Sequence, residues 1–249
     1  MVELAITIIT MKKNILFGLI LLAAGSLLGA DVTPKDALKA AAKKLADKSN
    51  YSWRTTVIVP EDSPFKPGPT EGKTEKGGFT CVSMSMGDRT NEAVLKGGKG
   101  ALKVEGSWKS LAEATQEGEG GFNATRFLAR RLQDYRLPAA EAEAIADSVK
   151  ELKLADGVYA GELTEDGAKQ LLMFRRQGGN GGGPEVSNPK GSARFWVKDG
   201  LLTKYEYKVK GTMSFNGNDR DIDRTTTVEI KEVGTTKVAV PEEAGKKAS

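Results

Sequence analysis

The chain has 249 residues, with 37 Lys or Arg against 33 Asp or Glu, so its net charge is +4 at neutral pH. That excess is small and evenly spread, which argues against nucleic-acid binding. The chain has no histidine, which excludes catalysis by Ser–His–Asp or Cys–His groups and removes the commonest ligand of zinc sites. We therefore expect a protein that is not an enzyme and that holds no metal ion or cofactor.

The N-terminus has the layout of a secretory signal peptide. Two lysines directly after Met11 precede the apolar run 15–28, and the small residue Ala30 closes the segment. The run of about 14 residues is shorter than the roughly 20 that a membrane-spanning helix needs. We predict a signal peptide over residues 1–30, with an uncleaved membrane anchor as the alternative.

The signal predicts where the mature protein works. Cleavage after Ser26 or after Ala30 would release a periplasmic or secreted protein, and the start codon is Met1 or Met11. Residues 31–249 are then expected to form one domain with a core of its own. Cys81 is the single cysteine, so the domain has no internal disulfide, and we expect this thiol to be buried and inert.

The first predicted elements are a helix and a strand. Thr33 can cap the helix and Pro34 suits its first position, after which apolar residues recur with helical spacing. The segment 51–59 is rich in aromatic and β-branched residues and predicts a strand. Residues 60–78 contain four prolines and many Gly, Lys and Glu, so they are expected to form a long mobile loop.

The middle of the chain alternates between short strands and helices. Strands are predicted over 79–86, 92–96, 101–105 and 158–162. Asn123 and Thr164 are candidate helix caps, and Leu137-Pro138 opens a further helix. The glycine-rich segment 178–190 is predicted to be a second mobile loop.

The last third predicts an antiparallel meander. Asp199-Gly200 and Asn216-Gly217 are two-residue hairpin signals between segments that alternate apolar and polar residues. A last short strand is expected over 236–240, before Pro241. The order of elements predicts an α+β fold, in which helices pack on the apolar face of one curved antiparallel sheet.

The order of elements and three segments resemble the LolA/LppX/LprG-type lipoprotein-carrier superfamily. The segments are DALKAAAKKLADKSNYSWRTTV (36–57), FWVKDGLLTKYEYKVKG (195–211) and TTTVEIKEVGTTKVAVPEEA (225–244). The resemblance implies an open half-barrel with helices on its concave face, and the binding of acyl chains or lipidated partners in the cavity. The chain departs from the LppX and LprG branch because no lipidation cysteine follows the signal, and its loops at 60–78 and 178–183 are additional to the common pattern.

An apolar cavity between sheet and helices is the sharpest functional hypothesis. The candidate lining residues are large apolar or aromatic residues from the predicted strands and helices: Trp53, Phe79, Met84, Met86, Phe127, Leu132, Leu171, Phe174, Phe195, Tyr205, Tyr207 and Val228. The alternative is that they fill a solid core and that the protein is a structural or interaction module of the cell envelope. A lipid, a lipidated protein and an envelope protein are thus the candidate partners.

Charged residues suggest further sites of lower specificity. Arg126, Arg130 and Arg131 share a predicted helix with apolar residues, which suggests either peripheral contact with anionic headgroups or a solvated face. The run 219–223 places an aspartate at every second position, but it lacks the glycine and the glutamate of a calcium loop. Hydrolysis by paired carboxylates remains open as a third hypothesis.

Overall fold

The computed structural model describes residues 32–63, 66–87, 89–116, 123–173, 185–215 and 217–249. The predicted signal peptide, residues 1–30, and the glycine segment 178–183 lie outside them. In chain order the elements are α1 (Pro34–Ala46), β1 (Asn50–Ile58), β2 (Thr70–Glu75), β3 (Thr80–Met86), β4 (Arg89–Lys96), β5 (Lys99–Val104), β6 (Ser107–Ser110), α2 (Leu111–Gln116), α3 (Ala124–Gln133), α4 (Pro138–Asp147), β7 (Lys153–Ala155), β8 (Val158–Glu162), α5 (Glu165–Leu172), β9 (Glu185–Lys198), β10 (Leu201–Phe215), β11 (Asn218–Lys231) and α6 (Glu242–Lys247).

All the strands form one antiparallel sheet in the order β6-β5-β4-β3-β2-β1-β11-β10-β9-β8-β7. The sheet is curved and is not closed into a barrel, so the predicted α+β half-barrel is confirmed. The first and the last strand pair at its centre, where Trp53 lies opposite Ile230. Every other pair of neighbouring strands is consecutive in the chain, and the consecutive strands β6 and β7 lie at the two opposite edges of the sheet.

Local signals form the elements that the sequence predicts best. The Thr33 hydroxyl accepts a hydrogen bond from the Asp36 backbone N–H at 3.1 Å, and Pro34 opens α1. The hairpin between β9 and β10 turns on Asp199 (φ 53°) and Gly200 (φ 69°), as a two-residue turn with two positive φ angles requires. The predicted caps and the Asp-Gly hairpin are therefore confirmed.

The inner face of the sheet, defined here as the face that bears Trp53 and Tyr205, carries five helices. Helices α1, α4 and α5 pack over β9 and β10, whereas α2 and α3 pack over β5. Buried aliphatic and alanine side chains join these layers, such as Leu38 and Leu45 of α1 and Ile145 of α4. Burial of this apolar surface holds the helices on the sheet.

Two predicted loops are shorter in the structure. β2 lies inside the loop predicted over 60–78, and β9 begins at Glu185, inside the loop predicted over 178–190. The residues of β2 show no apolar alternation, because its inward positions are Thr70, Gly72 and Thr74. Backbone hydrogen bonds to β1 and β3 on both sides form this strand instead.

The strand predicted over 236–240 is wrong: these residues have no regular structure, and α6 follows Pro241. No sheet edge is available near the end of β11, because β1 and β10 flank this strand on both sides. The chain crosses the outer face instead, where Ala244 and Ala248 pack against Val94, Ala101 and Trp108. The sheet therefore carries a helix on each face around β4 and β5.

Candidate functional site

Part of the inner face is only half-buried, and this part is the candidate site. Pairing aligns Met84, Thr70, Thr55, Val228, Tyr205 and Phe195 in one row across β3, β2, β1, β11, β10 and β9. The last three side chains are fully buried beneath α1, α4 and α5, whereas the first three are half-buried. We call six of the half-buried inward residues of β1 to β4 and β11 the concave strip: Thr55, Val57, Thr70, Met84, Asn91 and Ile222.

The concave strip is half-buried because the helices cover the two flanks of the sheet better than the middle. Helices α2 and α3 pack on β5, α1 and α5 pack on β9 and β10, and α4 packs against α1 and reaches Tyr205 of β10 through Glu141. The strip residues present methyl and thioether groups, with polar atoms only from threonine and asparagine, and such a surface is suited to an apolar ligand.

A cluster of aromatic residues forms one wall of the strip. Trp53 packs between Tyr51, at a ring-centroid distance of 5.8 Å, and Tyr135, at 6.5 Å. The hydroxyl of Tyr205 donates a hydrogen bond to Glu141 Oε2 at 2.5 Å. The Tyr51 hydroxyl is buried, and the Ala139 backbone N–H approaches it without completing a hydrogen bond of normal geometry. The tyrosine cluster, defined as Tyr51, Tyr135, Tyr205 and Tyr207, therefore places phenol groups in an apolar setting.

Burial raises the pKa of every phenol in this cluster. It raises the pKa of Tyr51 to about 12, an effect that the Ala139 backbone N–H partly offsets. It likewise raises the pKa of Tyr207 to about 12, and the charge of Glu141 adds to the rise. Burial and Glu141 also raise the pKa of Tyr205 and of Tyr135. The four phenols are consequently protonated hydrogen-bond donors at neutral pH.

Arg224 is a buried charge at the α5 side of the strip. It is an inward residue of β11, only 7% of it is exposed, and its Nη2 donates a hydrogen bond to the Leu171 carbonyl of α5. Burial lowers the pKa of Arg224, the Tyr207 phenol raises it, and the Arg131 guanidinium of α3 lowers it further. Arg224 and Arg131 also both lower the pKa of Tyr207, so the two cations act on the same phenol.

Helix α3 presents a basic outer side with one exposed aromatic residue. The Asn123 side chain caps it by accepting a hydrogen bond from the Arg126 backbone N–H at 2.8 Å. Ala129 and Leu132 face the core, whereas Phe127 is 50% exposed. Arg130 and Arg131 are exposed as well. This side of α3 is therefore both cationic and partly apolar.

The structure divides the predicted cavity residues into groups. Buried in the inner-face core are Trp53, Leu132, Phe195, Tyr205, Tyr207 and Val228. Met84 and Leu171 are half-buried against that core. Phe79 lies instead in the outer-face cluster with α6, because it precedes the inward Thr80 by one residue and β-strand side chains alternate. Phe174 and the side chain of Met86 lie outside the described residues.

Sequence reasoning missed three residues near the strip: Tyr51, Glu141 and Arg224. Arg224 lies at an inward position because it precedes Thr226 and Val228 by two and four residues, so the alternation of β11 could have identified it. Glu141 gave no signal, since acidic residues are ordinary in the first turn of a helix. Its contact with Tyr205 joins residues 64 positions apart.

Other candidate sites have ordinary partners. Asp223 forms ion pairs with Lys208 and Lys210, and Asp221 accepts a hydrogen bond from Thr212. The Cys81 thiol is half-buried, its pKa is raised by burial, and Sγ lies 3.7 Å from the Ala239 carbonyl. Within the described ranges no group of three or more Cys, Asp or Glu could hold a metal ion. No helix in those ranges is long and apolar enough to cross a membrane.

Comparison with known proteins gives likenesses of fold. No protein-family model matches the chain, and no curated protein sequence matches it. The crystal structure of LprF from Mycobacterium bovis aligns with a TM-score of 0.44 and 11% identity, over 85% of this chain and 97% of that one. The lipoprotein LppX from Mycobacterium tuberculosis aligns with a TM-score of 0.45 and 10% identity, over 83% and 97%. At these identities the two likenesses concern the fold alone.

Proposed function

We propose that the protein is an exported, non-catalytic binder or carrier of an apolar ligand, such as a lipid or the acyl chain of a lipidated protein. The observation that carries this proposal is the concave strip, an inner-face surface left half-buried between two helix-covered flanks. Export is proposed from the signal-like residues 11–30, and a periplasmic location follows from it.

A useful affinity sets a lower limit on the size of the ligand. Each buried methylene contributes about 0.8 kcal/mol, and association costs at least about 4 kcal/mol. A micromolar complex, about 8 kcal/mol, thus needs roughly 15 methylenes by this arithmetic, which is the size of one long acyl chain. One chain laid across the strip is therefore the smallest ligand that satisfies the proposal.

Neighbouring residues of β1 provide a matched test. Val57 lies in the concave strip, whereas Ile58 points to the outer face and is 65% exposed. We expect Val57→Asp to weaken binding of a fluorescent derivative of hexadecanol by about tenfold or more. The alkyl chain of the probe would have to displace water from the new carboxylate in the concave strip, which costs free energy. Ile58→Asp should bind like the wild type. Fluorescence titration measures both, and thermal unfolding checks that both variants fold.

Failure of the wild type to take up the probe would contradict the proposal. If Val57→Asp and Ile58→Asp both take up the probe as well as the wild type does, the ligand binds elsewhere. The filled-core alternative, a structural or interaction module, is favoured by the complete burial of Phe195 and Tyr205. It predicts no uptake by the wild type, so the same titration separates the two functions.

We further propose that α3 makes peripheral contact with an anionic membrane through Arg126, Arg130 and Arg131, with Phe127 entering the interface. Each arginine near an anionic surface contributes about 1 kcal/mol, and salt screens this term. We expect co-sedimentation with phosphatidylglycerol vesicles that Phe127→Ser and added salt reduce several-fold.

Leu154→Ser is the control for this contact, because Leu154 is exposed to a similar degree, 54%, but lies on β7 at the sheet edge. Equal binding to phosphatidylcholine vesicles, or equal losses in the two serine variants, would contradict a specific role of α3.

A further inference from the structure

We propose that the concave strip binds one unbranched chain of about 16 carbons that lies across the strands, with its methyl end beside Val228 of β11 and its polar head at the β6 edge of the sheet. This inference rests on the proposed function and adds to it the kind of ligand and the direction in which the ligand lies.

A row of inward residues leads from the β6 edge of the sheet to β11, and we call it the central row. It begins with Ser107 of β6, which pairs with Val104 of β5. Asn91 of β4 lies opposite Val104, because each is two residues beyond the pair formed by Ala93 and Leu102. From Asn91 the row continues through Met84, Thr70 and Thr55 to Val228.

Burial increases along the central row in one direction. Ser107 is exposed, the members from Val104 to Thr55 are half-buried, and Val228 is only 1% exposed. Tyr205, the next residue beyond Val228, is fully buried. The row is therefore open to solvent at the sheet edge and closed at β11. A polar head at the closed end would lose its hydration beside an apolar side chain, so the methyl end belongs there.

The width of the central row limits the ligand to one chain. The neighbouring inward row is buried throughout, and it consists of Trp53, Gly72, Val82, Ala93 and Leu102. On the other side the sheet ends soon, because β2 begins at Thr70 and β3 ends at Met86. A second chain thus has no inward surface beside the first.

The length of the central row sets the length of the chain. From Asn91 on β4 to Val228 on β11 the row crosses four interstrand spacings, or about 19 Å. An extended chain advances about 1.2 Å per bond, since three backbone bonds span at most about 3.6 Å. The half-buried part of the row therefore accepts about 16 bonds, and the head lies beyond it, towards Ser107.

Quenching of Trp53 tests the direction of the chain. Its indole ring covers Gly72 of β2, about one to two spacings or 5–10 Å from β11, whereas Trp108 and Trp196 lie on the outer face. In the proposed direction, carbons 11 and 12 of hexadecanol lie about 6 Å from the closed end and carbons 4 and 5 lie about 14 Å from it. Bromine quenches indole emission on contact. We expect 11,12-dibromohexadecanol to quench wild-type emission about twofold or more as strongly as the 4,5-isomer.

Two neighbouring threonines of β1 test the length of the row. Thr55 lies in the row one spacing from Val228, whereas Thr56 is exposed on the outer face. Alcohols of 10 to 16 carbons compete with the fluorescent probe, each below its aggregation concentration. Each added methylene should raise the affinity of the wild type about two- to fourfold, the upper figure corresponding to complete burial. Thr55→Phe should remove one spacing, or about four carbons.

We therefore expect Thr55→Phe to bind hexadecanol about tenfold or more weakly than the wild type and to bind decanol unchanged. Thr56→Phe is the matched control and should bind the whole series like the wild type. Stronger quenching by the 4,5-isomer, equal quenching by both isomers, or equal binding by the two phenylalanine variants would overturn this inference alone. The quenching experiment needs only the wild type, so it decides even if Thr55→Phe fails to fold. Binding of none of the alcohols would overturn the proposed function as well.

Discussion

Replacement of Gly72 by alanine is expected to lower the free energy of unfolding by about 3–5 kcal/mol, the range found when a buried tryptophan is lost from a core. A Cβ atom at this position would lie 2.0 Å from Cζ2 and 2.2 Å from Cε2 of Trp53, the residue opposite in β1. The indole ring therefore covers the glycine and would have to leave its place against Tyr51 and Tyr135. Urea unfolding measures the loss, and a red shift of tryptophan emission reports the displacement.

A double-mutant cycle separates this contact from the general cost of altering β2. Trp53→Ala removes the ring that alanine at position 72 would meet, so Gly72→Ala should cost little in that background. We expect the two changes together to destabilise the protein by about 3 kcal/mol less than the sum of the single changes. Additive losses would show that the ring is not what requires glycine at this position.

The second large effect is a loss of stability at alkaline pH. Below pH 10, the ordinary pKa of tyrosine, the phenols are protonated in both the folded and the unfolded state, and their contribution to stability is fully present. Above it the unfolded chain releases protons that folded Tyr51 and Tyr207 keep until about pH 12. Because the folded state then binds more protons, the free energy of unfolding falls as pH rises.

The two shifts, of about two pKa units each, predict a combined loss of about 5 kcal/mol by pH 12. The raised pKa of Tyr205 adds to this loss. Urea unfolding at a series of pH values measures it, and tyrosinate absorbance should rise together with unfolding. Tyr51→Phe is the informative variant, because the buried Tyr51 hydroxyl makes no hydrogen bond of normal geometry and its loss should cost little. The variant should be at least as stable as the wild type at neutral pH and show a shallower alkaline slope; an unchanged slope would contradict this assignment.

The sequence predicts the parts of this fold that short-range chemistry determines. The Thr33 and Asn123 caps need one side chain and a backbone group three residues away, and the Asp199-Gly200 turn needs two positive φ angles. A short stretch of sequence around each feature is enough to identify it. The same holds for the alternation that places Phe195, Tyr205 and Val228 on one face.

Features that depend on distant partners were not predicted. The polar β2 exists because β1 and β3 flank it, and Gly72 is required there by a ring from another strand. Helix α6 packs on a surface made more than a hundred residues earlier, by Val94, Ala101 and Trp108. Glu141 accepts a hydrogen bond from the buried Tyr205, and Arg224 donates one to the Leu171 carbonyl at the end of α5. Both contacts join residues that are far apart in the chain. Periodicity reports which face a residue occupies but not which helix covers it.

The central seam of the sheet has a consequence for folding kinetics. Trp53 and Ile230 face each other there although 177 residues separate them in the chain, whereas the other strand pairs join neighbours in sequence. The β2–β6 meander and the β8–β10 meander can each form from local contacts, but β1 gains its partner on the β11 side only after nearly the whole chain has been delivered. Contacts at such separation carry a high loop-closure entropy and slow folding. A polypeptide that emerges N-terminus first therefore keeps one edge of β1 open until its last strand arrives, which gives a chaperone a long interval in which to bind it.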